Sequence, residues 1–406
     1  MSSYRVAVSE EKVITLKIKL AQAEFPDEAC IHSLGHILLD ADSRLSSKAQ
    51  TGTMELHLQT RLQEAKLNEL PNYQRSIKVE GFGDIDIHYL HQPSENPNAI
   101  PLLFVHGWPG SYLEVVKMLP ALRNGSNGVA FHVVAPSLPN FGWSQGISKS
   151  GFGPAQYAET CDQLMQSLGY KQYVTQGGDW GFMITRVIGL RYPQRCLASH
   201  INMIRANPPT WLKNPILALQ HSLLPYGQAT RDGFARSQWF LNEGSGYRSI
   251  QATKPQTPGY GLHDSPVALL AWIYEKLHDW TDDYPWTDDE ILTWVSIYYF
   301  STAGPAASLR IYYEATHLSG LNNIHRDRTH DWIPNVKLGL CHSPKELTLV
   351  PSTWARTLGP VVYEDRKKKG GHFAAHEIPE EIVKDLIAMF GKGGPCYGII
   401  KTKAKL

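Results

Sequence analysis

The chain has 406 residues, 42% hydrophobic and 19% charged, which is ordinary for a folded, water-soluble protein but longer than the roughly 250–300 residues one compact core holds. A core domain with an insertion or extension is therefore expected. The formal net charge of +1 excludes a strong electrostatic footprint for nucleic acid or for an anionic membrane surface. The cysteines, Cys30, Cys161, Cys196, Cys341 and Cys396, are odd in number and widely scattered, without C-x-x-C spacing. That argues against a disulfide framework and a zinc site and fits a reducing compartment. No apolar signal region opens the chain, and no apolar run reaches the ~20 residues of a membrane span. A soluble, cytoplasmic protein is expected. The closing tripeptide Ala404-Lys405-Leu406 differs by one small residue from the S-K-L peroxisomal address, which makes the peroxisome the second expectation and a frayed basic tail the plain alternative.

Residues 9–68 read as helical and irregular, with 55–70 mostly amphipathic and nothing that carries chemistry. Near Ser76 the pattern changes to period two. Ile77 and Val79, then Ile85, Ile87 and Tyr89, alternate with polar residues around Gly81-Phe82-Gly83, the pattern of two half-buried antiparallel strands. After a Pro/Asn/Ser turn at 91–99 come an apolar strand at 102–105, a helix over 112–122 and a strand at 131–134. A helix over 156–168, a strand at 173–175 leading into a further helix, and a strand at 197–201 follow. Short continuous apolar strands alternating with helices predict an α/β core, a parallel sheet covered on both faces. From 207 to about 318 the alternation stops, and the segment is mostly helical and rich in Trp and Tyr. Ser265-Pro266 and the capping box Thr287-x-x-Glu290 open two of its helices. The sheet pattern resumes at 336–340 and 361–363 and closes with a helix from Pro379. The predicted organisation is an N-terminal extension (1–75), a first part of the core (76–206), a helical cap (207–318) and a second part of the core with its tail (319–406). A cap inserted there would cover a pocket at the carboxyl ends of the strands.

Chemistry concentrates at Gly177-Gly178-Asp179-Trp180-Gly181, where the 173–175 strand runs directly into a helix. Small residues two before and two after the central one permit a turn too sharp for a Cβ, so the central side chain is thrust out, as in the nucleophile elbow of serine hydrolases. Here that residue is Asp179. With a reference pKa of ~3.9 it is already an anion at neutral pH and needs no base to become nucleophilic. A tight glycine turn with Asp179 as a helix N-cap is the alternative reading. His372, next to two glycines in Gly370-Gly371-His372-Phe373-Ala374, follows the last predicted strand. The order nucleophile, acid, His is that of α/β-hydrolases. Glu346 follows the preceding strand and leads as the acid over Asp331, Glu364 and Asp365, which precede that strand or follow the wrong one. In this fold the oxyanion hole draws on the loop after the strand at 102–105 and on the residue after the nucleophile, so its backbone N–H donors are assigned to Trp108 and Trp180. His106, in the same His106-Gly107-Trp108-Pro109-Gly110 turn, reads as structural.

The segments H-G-W-P-G-S-Y, G-G-D-W-G, S-L-R-I-Y-Y-E and G-G-H-F-A-A resemble the microsomal-type epoxide hydrolases, including their soluble fungal relatives, over nearly the whole chain. The resemblance implies two cap tyrosines that hold and protonate the epoxide oxygen. Motif by motif these fall on Tyr247, within Gly244-Ser245-Gly246-Tyr247 and on to Lys254-Pro255, and on Tyr312, within Ser308-x-Arg310-x-Tyr312-x-Glu314. Tyr313 is the neighbour most easily confused with the second. Phe182, Asn140 and Tyr112 depart from the family pattern; the first two are expected to bear on pocket shape and substrate choice. Relatives often dimerise, so a homodimer is the assembly the resemblance points to.

The implied reaction needs an apolar epoxide and water, and no metal or organic cofactor. Asp179 would form an alkyl ester, the tyrosines would protonate the departing oxygen, and His372 oriented by Glu346 would activate water to release a vicinal diol. The cap aromatics Trp211, Trp239, Trp272, Trp286 and Phe240 lean toward a bulky apolar substrate. Three other readings compete. A haloalkane dehalogenase also uses D-W-G with a His, although halide leaves without a proton and would give the paired tyrosines no purpose. A catalytically silent α/β-hydrolase would keep the pocket for an apolar ligand. An internal hydroxyl in place of water would yield a cyclic ether.

Overall fold

The structure is a computed structural model and describes residues 2–26, 53–318 and 323–400, the side chains of 53–59 excepted. Ala404-Lys405-Leu406 and Cys30 lie outside these residues. Among them, no helix is long and apolar enough to cross a membrane.

A nine-stranded sheet forms the centre, in the order β1-β2-β3-β5-β4-β6-β7-β8-β9. Its antiparallel edge comprises β1 (Ser2–Ser3), β2 (Asn72–Val79) and β3 (Gly83–Gln92). Here the period-two pattern is used as expected: Ile77 faces Ile85, and Val79, Ile87 and Tyr89 are buried with them. Gly81 and Gly83 take positive φ at the turn between the two strands. β5 (Phe131–Pro136) joins this edge antiparallel to β3 and then pairs parallel with β4 (Ile100–Val105). From β4 the sheet continues parallel through β6 (Tyr173–Gly177), β7 (Cys196–Ile201), β8 (Lys337–His342) and β9 (Val361–Arg366). All six residues of β4, all six of β5 and all five of β6 are buried, because both faces are covered. One apolar cluster holds Leu103, Val105, Ile184 and Leu340, and the opposite one holds Leu102, Phe104, Val174 and Leu386.

β4 lies between β5 and β6, so the chain winds one way from β4 to β5 and the other way to β6. A crevice opens at the carboxyl ends where such a reversal occurs. The loop after β4 and the turn after β6 both face it.

Between β7 and β8 the chain is helical from Pro215–Leu223 to Arg310–Thr316. Ser265 caps the helix Pro266–Asp279 by accepting from Ala268 N–H, and Thr287 and Glu290 form the capping box of Asp288–Tyr299. At the other end of the chain, Val6 and Val8 N–H groups donate to the side chains of Asn68 and Glu64, tying the segment after β1 to the helix Thr53–Asn68. Lys19 reaches Asp264 at 3.1 Å.

The expected helix over 112–122 is divided. Tyr112–Met118 is a 3₁₀ segment, and an α-helix, Leu119–Asn124, begins after it. Pro120 sits in the first turn of that α-helix; it has no N–H to offer the carbonyl of Val116, so one regular helix cannot run through it.

Candidate active site

Asp179 stands where β6 ends and the helix Trp180–Arg191 begins, with φ 50° and ψ −123°. Such a conformation costs a non-glycine residue on the order of 1–3 kcal/mol and persists only where the surroundings impose it. The surroundings are glycines. A Cβ on Gly181 would sit 1.9 Å from the Val105 carbonyl oxygen, one on Gly177 2.9 Å from the Gly181 backbone, and one on Gly107 2.4 Å from the Asp179 Cβ. β4, β6 and the helix can therefore converge on one side chain. Asp179 does not serve as a side-chain N-cap. Its carboxylate turns toward the core loop, where Oδ1 accepts the Trp108 N–H at 2.7 Å and the Trp180 N–H also donates to it.

His372 Nε2 lies 3.7 Å from Asp179 Oδ2, and Nδ1 lies 2.6 Å from Glu346 Oε1. The same Glu346 oxygen accepts the Leu347 N–H at 2.6 Å. The competing acids are engaged elsewhere: Glu364 with His342 and Arg356, Asp365 with Lys367, and Asp331 with Arg328. The histidine loop is held by a residue that sequence reasoning missed. Glu377 accepts N–H groups from Gly371 and Asp282 on one oxygen and from Phe373 on the other, at 2.9–3.0 Å. The helical segment between β7 and β8 contributes as well, since the Trp280 carbonyl accepts the His372 N–H at 2.8 Å and the Trp280 ring meets the imidazole edge-on at 5.0 Å. His106 is structural: Nε2 accepts the Leu138 N–H, Nδ1 faces the Gly107 carbonyl, and burial pulls its pKa down to about 4.

Burial alone would lower the His372 pKa. Glu346, Asp179 and Glu114 outweigh it and raise the value to about 9. Burial raises Asp179 above the ordinary carboxylate value, against His372 and the two N–H donors. Glu114, also missed, extends from the 3₁₀ segment after the Trp108 turn. Its Oε1 is buried without a hydrogen-bond partner, and burial, with Asp179 nearby, pushes its carboxyl up to about 8. It passes close over Gly110, where a Cβ would meet that oxygen at 1.8 Å.

Tyr247 and Tyr312 come from the helices Gly246–Thr253 and Arg310–Thr316. Tyr247 stacks on Trp108 at 5.0 Å, while Tyr312 stands edge-on to Trp108 and to Trp180. Burial drives both phenols well above their ordinary pKa, so both are neutral donors. The rest of the second tyrosine motif anchors its helix: Ser308 accepts the Trp108 indole N–H, Arg310 donates to the Ile147 carbonyl, and Glu314 accepts the Gly151 N–H. Tyr313 instead points outward, stacked on His317.

Asp179, Tyr247 and Tyr312 line one open pocket. Of the cap aromatics singled out from the sequence, Phe240 lines it and Trp211 is 62% exposed. Phe182 and Asn140, expected to shape the pocket, are not among its lining residues. Phe182 is packed in the core, and Asn140 occupies a positive-φ position, φ 71°, where its side chain binds the Ile147 N–H. Asparagine tolerates that backbone better than other non-glycine residues. Among the described residues, no group of three or more His, Cys, Asp or Glu is arranged to hold a metal ion.

Residues 1–115 match the family model for the epoxide hydrolase N terminus, and residues 100–243 match that for the alpha/beta hydrolase fold. Epoxide hydrolase 1 of Sus scrofa is 33% identical over 358 residues, 82% of this chain and 76% of the relative. The solved epoxide hydrolase of Aspergillus niger aligns with a TM-score of 0.78 at 30% identity, covering 95% of each chain. The juvenile hormone epoxide hydrolase of the silkworm Bombyx mori aligns with a TM-score of 0.80 at 30% identity, covering 95% of this chain and 93% of that one. On the strength of these likenesses, the chain belongs to the epoxide hydrolase family of α/β-hydrolases.

Proposed function

We propose that the protein converts an apolar epoxide to a vicinal diol in two half-reactions, through a covalent ester on Asp179. The supporting observation is one pocket lined by a carboxylate on a strained elbow and by two phenols that remain protonated. Asp179 attacks an epoxide carbon, the C–O bond of the ring breaks, and the oxygen takes a proton from Tyr247 or Tyr312. His372, held through Nδ1 by Glu346, then removes a proton from water, and the resulting hydroxide adds to the ester carbonyl. The Trp108 and Trp180 N–H groups stabilise the oxyanion, where one lost donor costs ~3 kcal/mol. Collapse expels the diol, its leaving oxygen, which had belonged to Asp179, taking the proton from His372; the oxygen from water stays on Asp179, and the proton released by the regenerated acid restores the tyrosine.

The electrostatics support this order of events. In the free enzyme, Asp179 is one of the anions that hold His372 protonated. Esterification removes that charge, the imidazole pKa falls, and the base becomes available only after the first bond has formed. The division into an extension (1–75), a two-part core (76–206 and 319–406) and a cap (207–318) belongs to the same reading, the cap supplying the acids and the core the nucleophile and base.

Replacing His372 by Ala separates the halves. The variant is expected to be alkylated and then to stall, so its intact mass should rise by one substrate on incubation with a reactive epoxide such as styrene oxide. An unchanged mass, or steady diol release, contradicts the assignment.

A further inference from the structure

The pocket that holds Asp179 has a second chemical character that the reaction does not use. Arg205 follows β7, Arg248 adjoins Tyr247 on its helix, and Arg326 opens the 3₁₀ segment Arg326–His330; all three line the same pocket. Among the described residues, none of the three guanidinium groups has an ion pair or side-chain hydrogen bond. They lie near enough to act on one another. Burial, and then repulsion from Arg326 and Arg248, pulls the Arg205 pKa down to about 10 against the attraction of Asp179 and Tyr247. Burial and Arg248 likewise lower Arg326.

Asp179 attracts Arg205 and Asp327 attracts Arg326, but neither closes an ion pair with them, and three half-buried guanidinium groups left without a hydrogen-bonded acceptor are unfavourable unless something negative completes the set. The guanidinium fork matches a carboxylate in two parallel hydrogen bonds. The same pocket also carries an apolar lining, formed by Met183, Met203, Phe240 and Leu347. From this juxtaposition we propose that the substrate is an amphiphilic epoxide, with an apolar body against Met183, Met203, Phe240 and Leu347 and a carboxylate held by Arg205, Arg248 and Arg326. This rests on the epoxide hydrolase reading above and refines its substrate class. The competing role for the arginines is to stabilise the Asp179 carboxylate, which would favour neutral and anionic epoxides alike.

A matched pair of substrates separates these possibilities. Diol formation from epoxyundecanoate and from its methyl ester is measured on the wild type, Arg248→Gln and Arg326→Gln, and read as the ratio of kcat/KM for acid over ester. The ratio cancels general losses in folding or nucleophile strength. In the wild type it is expected to exceed about ten, the factor one charge-assisted hydrogen bond supplies. Each variant should lower it about tenfold, chiefly through KM, and added salt should shrink it. A wild-type ratio near one, or a ratio unmoved in both variants, overturns the carboxylate site while leaving the epoxide reading intact. No diol from either substrate, with the folded wild type, would instead overturn the reading on which the proposal rests.

Discussion

His372 carries three duties that its surroundings reconcile. In the proposed mechanism it must face Asp179, remain protonated while that carboxylate is free, and become a base once it is esterified. Glu346, Asp179 and Glu114 supply the upward pull on its pKa, burial the downward one, and Glu377 is attracted by the same imidazole. The sign of the pH dependence follows. A group raised to about 9 is protonated at neutral pH, and loss of the Asp179 charge in the ester lowers that value. Single-turnover hydrolysis of the alkyl-enzyme should therefore rise with pH to a plateau, with a midpoint below 9. A rate that falls as pH rises would remove His372 as the base. Asp179 and His372 stood out as candidates in the sequence because glycines bracket the first and a glycine pair precedes the second, and such positions need backbone freedom that few other turns require. Glu114 was not legible, because its approach to the pair depends on the 3₁₀ path after Ser111 and on the missing Cβ of Gly110. Arg205, Arg248 and Arg326 were hidden for a related reason. They lie on three segments far apart in the chain, and folding alone brings them to one pocket.

Two short cap helices show how a motif becomes a position. In the helix Arg310–Thr316, Glu314 accepts from the core loop at Gly151, Arg310 donates to Ile147, and Ser308 just ahead of it receives the Trp108 indole. Tyr312 is then left on the inward side, between the rings of Trp108 and Trp180. Periodicity alone could not separate Tyr312 from Tyr313; the motif did, and the outward stacking of Tyr313 on His317 gives the separation a physical basis. If the phenols are the acids, Tyr247→Phe and Tyr312→Phe should each slow ester formation about 100-fold, the scale of losing one preorganised donor. Hydrolysis of a preformed ester should change much less. Rapid-quench measurement of the first half-reaction checks this, and a burst unaffected in both variants would assign the acid elsewhere. The 3₁₀ stretch Tyr112–Met118 marks the limit of pattern reading at this scale, since apolar spacing indicated a helix but not the interruption that Pro120 imposes.

At the scale of the whole molecule, the site sits where the sheet reverses direction at β4, beneath helices inserted between β7 and β8. The alternation of apolar strands and helices made the parallel core and its helical interruption visible in the sequence. The character of the pocket was not visible, because the cap's tryptophans and tyrosines serve mostly as packing while charged residues reach the cavity. The sheet and the inserted helices meet over Asp179, so the central proposal concerns that carboxylate: it bonds to substrate carbon and later exchanges an oxygen with water. One turnover in water enriched in heavy oxygen, with enzyme in excess, tests this most directly. The account predicts an unlabelled diol and a peptide containing Asp179 heavier by one oxygen label. Label in the first diol, with that peptide unchanged, would mean that water attacked the epoxide directly and would contradict it.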